Sequence, residues 1–104
     1  MAEWARVVSA ETSPDRVDDA VAYMRDVAVP GASALGGFRR GFWLMDRQTG
    51  KASIVTVFES QEALEASAAG AEKLRSGATD AFGASFTGMS HYEVVAEGGP
   101  PKEA

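Results

Sequence analysis

His91 is the single histidine of this chain, and imidazole is the side chain whose ordinary pKa sits near neutrality, so it is the candidate general base. The adjacent Tyr92 adds a second titratable group on the opposite side of the same strand. Arg39 and Arg40 are also neighbours within a strand, and their side chains must point to opposite faces. If both faces are covered, one guanidinium is buried and needs a partner. Arg40 is expected to reach Glu59 across a hairpin as a structural ion pair, while Arg39 is expected to face the interior. Asp18 and Asp19 diverge by about 100° on a helix and read as a solvated face, not a chelating pair.

Other chemistries lack their residues. With no cysteine and one histidine, a thiolate zinc site is excluded and no transition-metal set is expected. Gly88-Met89-Ser90-His91 and Gly31-Ala32-Ser33-Ala34-Leu35 both miss the closing glycine of a nucleophile elbow. The glycines of 31–37 come with neither a Walker lysine nor a G-x-G-x-x-G pattern, so that segment reads as a connecting loop.

The chain has 104 residues, with 10 basic and 15 acidic side chains and a net charge of −5. Phosphate binding needs clustered cations, and here they are scattered, so nucleic acid is excluded as the expected partner. This length suits one soluble domain, taken as residues 1–97, followed by a disordered glycine- and proline-rich tail over 98–104. Met1-Ala2-Glu3-Trp4 does not resemble a signal peptide. No apolar run approaches the roughly 20 residues of a membrane span, so the expected location is cytoplasmic, away from membranes.

The elements that must position these side chains follow from apolar periodicity. Trp4 to Glu11 reads as a strand buried on both sides, with Val7 and Val8 adjacent. Thr12-Ser13-Pro14-Asp15 reads as a helix start, and Val17, Ala20, Val21, Met24 and Val27 form the helical stripe before Val29-Pro30-Gly31 ends it. Phe38–Asp46 and Lys51–Glu59 form a hairpin across Arg47-Gln48-Thr49-Gly50, with Gly50 in the left-handed conformation. If Asp46 pairs with Lys51, Arg39, Gly41, Trp43 and Met45 share a face with Ala52, Ile54, Thr56 and Phe58. Phe38, Arg40, Phe42 and Leu44 then share the other with Ser53, Val55, Val57 and Glu59; a one-residue slip would exchange the sets. Ser60 caps a second helix with Leu64, Ala68, Ala71 and Leu74 inward, ending before Ser76-Gly77. Phe82 and Phe86 suggest a short helical turn, and Met89–Ala96 supplies the last strand.

Strand, helix, strand, strand, helix, strand packs as an α+β, ferredoxin-like βαββαβ fold: a four-stranded antiparallel sheet with both helices on one face. The other face is left bare. Phe38, Phe42, Leu44, Val55 and Val57 would expose a few hundred Å² of apolar surface. At roughly 25 cal/mol per Å², covering it is worth several kcal/mol, so a homodimer with sheets face to face is expected.

In its element order, its Asp46-Arg47-Gln48-Thr49-Gly50-Lys51 turn and its Phe58-Glu59-Ser60 junction followed by Gln61-Glu62-Ala63-Leu64, the chain resembles the dimeric α+β barrel superfamily. Within it, the likeness is to the antibiotic-biosynthesis-monooxygenase group. That resemblance implies a cofactor-independent oxygenase acting on a small aromatic or polyketide-type ligand in a pocket between sheet and helices. For such an oxygenase the residues read above supply the candidates: His91 and Arg39 as catalytic, Arg39 stabilising a phenolate, with Ser9, Trp43, Thr56 and Phe58 sharing the pocket side in this register and binding substrate, unless Trp43 and Phe58 are plain core. The alternative is a non-catalytic dimer that binds a small ligand or serves as a scaffold. The haem-degrading branch fits poorly. Where it carries asparagine, tryptophan and a ligating histidine, this chain has Ser9, Phe58 and no histidine between Glu62 and Arg75, leaving His91 alone to approach from the last strand.

Overall fold

The Asp46–Lys51 turn fixes the register of the sheet. Asp46 N–H donates to the Lys51 carbonyl at 2.8 Å, Gly50 N–H donates to the Asp46 carbonyl at 2.9 Å, and Asp46 Oδ1 accepts from the amides of Gln48 and Thr49. Gly50 takes φ +81°, and a Cβ there would lie 2.0 Å from the Thr12 carbonyl oxygen, so only glycine fits this crossing. In the computed structural model, which describes residues 2–101, the turn joins β2 (Phe38–Met45) to β3 (Lys51–Phe58). With β1 (Trp4–Glu11) and β4 (Ser85–Glu93) they form one antiparallel sheet in the order β2-β3-β1-β4.

The expected pairing holds from Met45 opposite Ala52 down to Arg40 opposite Val57, and then a bulge intervenes. Phe38, not Arg39, lies opposite Phe58, and the two rings meet edge to face at 5.8 Å. The expectation that Arg39 faces inward and Phe38 outward is thereby reversed. The extra residue lets an aromatic side chain join the core while the guanidinium keeps its water. The ion pairs change with it: Arg39 reaches Glu59 at 3.7 Å, and Arg40 forms two hydrogen bonds with Glu3 and a further contact with Glu97 at 3.5 Å.

Both helical regions cover the same face of the sheet, and both depart from their expected bounds. A 3-10 turn at Pro14–Arg16 leads into α1 (Val17–Tyr23), a π-helical segment at Met24–Ala28 and α2 (Val29–Ser33). Pro30 therefore continues the helical run instead of ending it, in α2 directly after the π-helical segment. Ser60 Oγ accepts from Ala63 N–H at 3.1 Å and caps α3 (Gln61–Ala66). After a break at Ser67, α4 (Ala68–Phe82) runs past Ser76-Gly77 and stops at Gly83, φ +74°. Gly77 is retained inside the helix because Tyr23 crosses there, its hydroxyl donating to the Leu74 carbonyl at 2.9 Å. Phe82 belongs to α4 and Phe86 to β4, so the expected separate turn is absorbed, and the last strand starts earlier than Met89.

The core lies between these helices and the sheet, with Phe58, Leu64 and Ala20 fully buried. No helix is long and apolar enough to cross a membrane among the described residues. Residues 98–101 form no regular element, and 102–104, the rest of the expected tail, lie outside the described residues.

Candidate functional site

Strand alternation places Trp4, Arg6, Val8 and Ala10 of β1 on the helix-covered face, in register with Phe58, Thr56, Ile54 and Ala52. On the other side of β1, His91 lies opposite Arg6 and Met89 opposite Val8. From α4, Ala71, Arg75, Ala78 and Phe82 form one stripe at helical spacing and close the layer from above. The space between holds two small lobes. One, ≈ 50 Å³, is bounded by Arg6, Thr56, Phe58, Ala71, Leu74 and Arg75 among others. The second, ≈ 60 Å³, lies toward Tyr23, Met24, Phe82 and Phe86. Trp43, Ile54, Leu74 and Arg75 belong to the walls of both and so form the partition between them.

Arg75 also lines a wider groove of ≈ 320 Å³ along β4, together with Val8, Phe86, Thr87, Gly88 and Met89. It is thus a wall common to this groove and to both inner lobes. The lobes are well below the ~150 Å³ of an apolar cavity that takes up benzene, so a diatomic molecule or a single functional group fits there and a ring does not. The groove has room for a ring.

Arg6 is 3% exposed. Its Nη2 donates to the Leu64 carbonyl and to Ser67 Oγ, both at 3.1 Å, and its guanidinium carbon stands 5.7 Å from the centroid of the Phe58 ring. Burial and the like charge of Arg75 lower its pKa. Partial desolvation lowers that of His91 too, with Arg6 and Arg75 adding to the effect and Glu65 opposing it. The imidazole is therefore held more strongly in its neutral, proton-accepting form than a free histidine.

The residues expected at the site divide three ways. Trp43, Thr56 and Phe58 line the inner lobes. His91 is on the covered face at the exposed β4 edge, close enough to Arg6, Arg75 and Glu65 to feel their charges. Ser9 and Arg39 are elsewhere. Ser9 sits on the outer face in register with Ser53, its Oγ accepting from Thr87 Oγ1 at 3.2 Å, because the Val7/Val8 alternation sends odd-numbered residues outward. Arg39 faces a surface depression with Glu3, Glu59 and Glu62 as a result of the bulge. Arg6 and Arg75 were not anticipated. Each does leave a signal in the sequence, a charge set into an otherwise apolar run at strand or helix period.

No protein-family profile matches the chain. It is 26% identical over 93 residues to two uncharacterized proteins of Mycobacterium tuberculosis, MT2634 and Rv2557; the match takes in 89% of this chain and 41% of each relative's length. Among solved structures, NE2512 of Nitrosomonas europaea, a protein of unknown function, superposes with a TM-score of 0.73 at 19% identity, over 97% of both chains. A Chloroflexus aurantiacus protein provisionally named an antibiotic biosynthesis monooxygenase gives 0.68 at 18% identity, over 93% of this chain and 97% of its own. A monooxygenase from the gene ActVA-Orf6 of Streptomyces coelicolor, in complex with Nanaomycin D, gives 0.70 at 12% identity over 96% and 94%. A dimeric ferredoxin-like protein from an uncultured marine organism gives 0.66 at 17% identity over 93% and 99%. At these identities the likeness is one of fold: the chain has the ferredoxin-like α+β architecture shared by dimeric ferredoxin-like proteins and antibiotic-biosynthesis-monooxygenase-like proteins.

Proposed function

We propose that the protein is a cofactor-independent monooxygenase of a small aromatic substrate, working at the junction of the β4 groove and the inner lobes. The observation that carries this reading is the division of space: a groove with room for a ring lies across Arg75 from apolar lobes the size of a small molecule such as dioxygen. The fold shared with a monooxygenase supports it by analogy.

For an anthrone-type substrate the chemistry closes without a resident group. A ring CH2 and O2 yield a C=O and one H2O; the substrate supplies all four electrons, one oxygen atom enters the carbonyl and the other leaves as water. The protein's part is to remove a proton, stabilise the resulting enolate and exclude bulk water from the oxygen adduct. Neutral His91, two residues along β4 from the groove residue Met89 and on the same face, is the base, its proton affinity restrained by partial desolvation and by Arg6 and Arg75. The same two cations stabilise negative charge on the bound substrate. Trp43, Thr56 and Phe58 form the dry wall. Arg39 and Ser9 have no part in this scheme, since Arg39 lies in a separate depression with Glu3 and Glu59 and Ser9 points to the outer face.

Oxygen uptake with an anthrone tests the reading. We expect enzyme-dependent uptake with one quinone carbonyl formed per O2, reduced about a hundredfold in His91→Gln. Uptake no faster than in buffer would leave a ligand-binding or scaffold protein in its place.

The working unit in this proposal is a homodimer. Phe42 and Leu44, 55% and 51% exposed on the outer face beside Val55 and Val7, form the patch a second copy would cover. Sedimentation at single-chain mass in dilute neutral buffer would refute it.

A further inference from the structure

Arg6 is a buried cation without a counter-ion. Among the described residues no carboxylate lies within ion-pair distance of Arg6 or Arg75, although five other ion pairs are formed. Its two hydrogen bonds go to neutral acceptors and leave from Nη2 alone. No enclosed side-chain nitrogen or oxygen lacks a partner among the described residues, so Nε and Nη1, which make no such bond, are not fully enclosed, and Arg6 lines the smaller lobe. The cation whose charge acts on it is Arg75, another wall of the same lobe. Two like charges facing one small cavity are costly when it is empty. An anion placed between them converts that cost into attraction.

We propose that Arg6 and Arg75 form the two sides of a carboxylate-binding neck, and that the substrate is an aromatic carboxylic acid. The carboxylate would occupy the neck, and the ring the β4 groove against Val8, Phe86 and Met89. A carboxylate suits the geometry better than a single oxyanion. Arg6 has part of its guanidinium committed to Leu64 and Ser67, so one oxygen goes to each arginine instead of both to one fork. The ≈ 50 Å³ lobe fits such a group, and the apolar groove walls supply the hydrophobic contact that a simple inorganic anion could not use. This assignment rests on the reading that the cavity is the substrate site, but it concerns binding and does not require turnover.

The test is calorimetric titration of the full chain with 2-hydroxybenzoate and with 2-hydroxybenzamide, its neutral near-isostere, alongside oxygen uptake with a neutral anthrone. We expect the acid to bind at least about tenfold more tightly than the amide. Arg75→Gln, at a partly exposed helix position, should abolish the preference while the chain stays folded. Arg6→Met should do the same if it folds; if it does not, Arg75→Gln decides. Equal affinities, a preference that survives Arg75→Gln, or no binding of the acid at millimolar concentration would each overturn the carboxylate neck. Anthrone turnover without acid preference would discard this inference and keep the oxygenase. Acid preference without turnover would do the reverse.

Discussion

The two faces of the sheet are built from alternate residues of the same four strands, yet they solve opposite problems. On the covered face, Phe58 is sealed by helices, with Leu64 of α3 buried over it, and the Arg6 guanidinium is held almost without water. On the outer face, a comparable set of apolar side chains, Phe42, Leu44, Val55 and Val7, stays partly or largely exposed, and the charges there are paired with carboxylates at the edge, as in Arg40 with Glu3 and Glu97. Of the polar groups that could do chemistry, Arg6 is held out of water, while Arg75 is half-buried and His91 is exposed at the β4 edge. Apolar groups suited to association are gathered where nothing of this chain covers them. The contrast teaches that, in this small fold, burial without ion pairing singles out the face proposed to take a ligand, and exposure without polarity the face proposed to take a second copy.

Substituting one phenylalanine on each face is the sharpest way to break the comparison. Phe58→Ala removes a ring with no exposure and is expected to cost about 3–5 kcal/mol in urea unfolding. Phe42→Ala should cost the single chain far less and show instead in sedimentation, as a shift toward the monomer. If the two losses of unfolding free energy were equal, the outer ring would have to be enclosed by its own chain and the contrast would be wrong. The crossing at Gly50 belongs to both faces, because it sets which residue points where. Gly50→Ala meets the Thr12 carbonyl and a left-handed φ, so a loss of roughly 1–3 kcal/mol is expected by thermal or urea melting, without loss of any apolar contact.

Smaller effects separate the charges of the two faces. On the covered side, the lowered pKa of His91 means that the base stays deprotonated further into acid than free histidine. The acid limb of kcat/KM for anthrone oxidation should accordingly fall below the usual histidine range, and Glu65→Gln, which removes the opposing carboxylate, should move it lower still. At the sheet edge, the Arg40 hydrogen bonds hold the Glu3 carboxyl below its ordinary pKa. A depressed carboxylate contributes stability that is present above its unfolded pKa and lost as pH falls through the folded one. Glu3→Gln should therefore flatten the acid decline of wild-type stability, a small change at an accessible pair and readable in melts between neutral pH and pH 3.

Much of this arrangement was legible along the chain. Asp46 and Gly50 specified the turn, the turn specified the pairing of Met45 with Ala52, and alternation then carried Trp43 and Thr56 to the same side. Apolar periodicity gave both helical regions, and Ser60 gave a helix start through its own hydroxyl. Less legible were features decided by competition between distant groups. The bulge that turned Arg39 outward depends on Phe38 finding the Phe58 ring, two residues 20 apart in sequence. The continuation through Pro30 and past Gly77 depends on tertiary packing overriding local stop signals, with Tyr23 crossing at Gly77. Arg6 could have been picked out as a charge within the Trp4, Val8, Ala10 alternation, but no strand pattern states that its partners would be a carbonyl and a hydroxyl 58 and 61 residues away.

Local physics thus determined which segments form strands and helices, where the hairpin turns and which residues alternate across the sheet, since each depends on backbone conformations and neighbours a few positions apart. The tertiary structure decided which charges lie in the dark and which in water. That choice compares desolvation with pairing among groups far apart in sequence, and the comparison exists only once the helices have settled on the sheet.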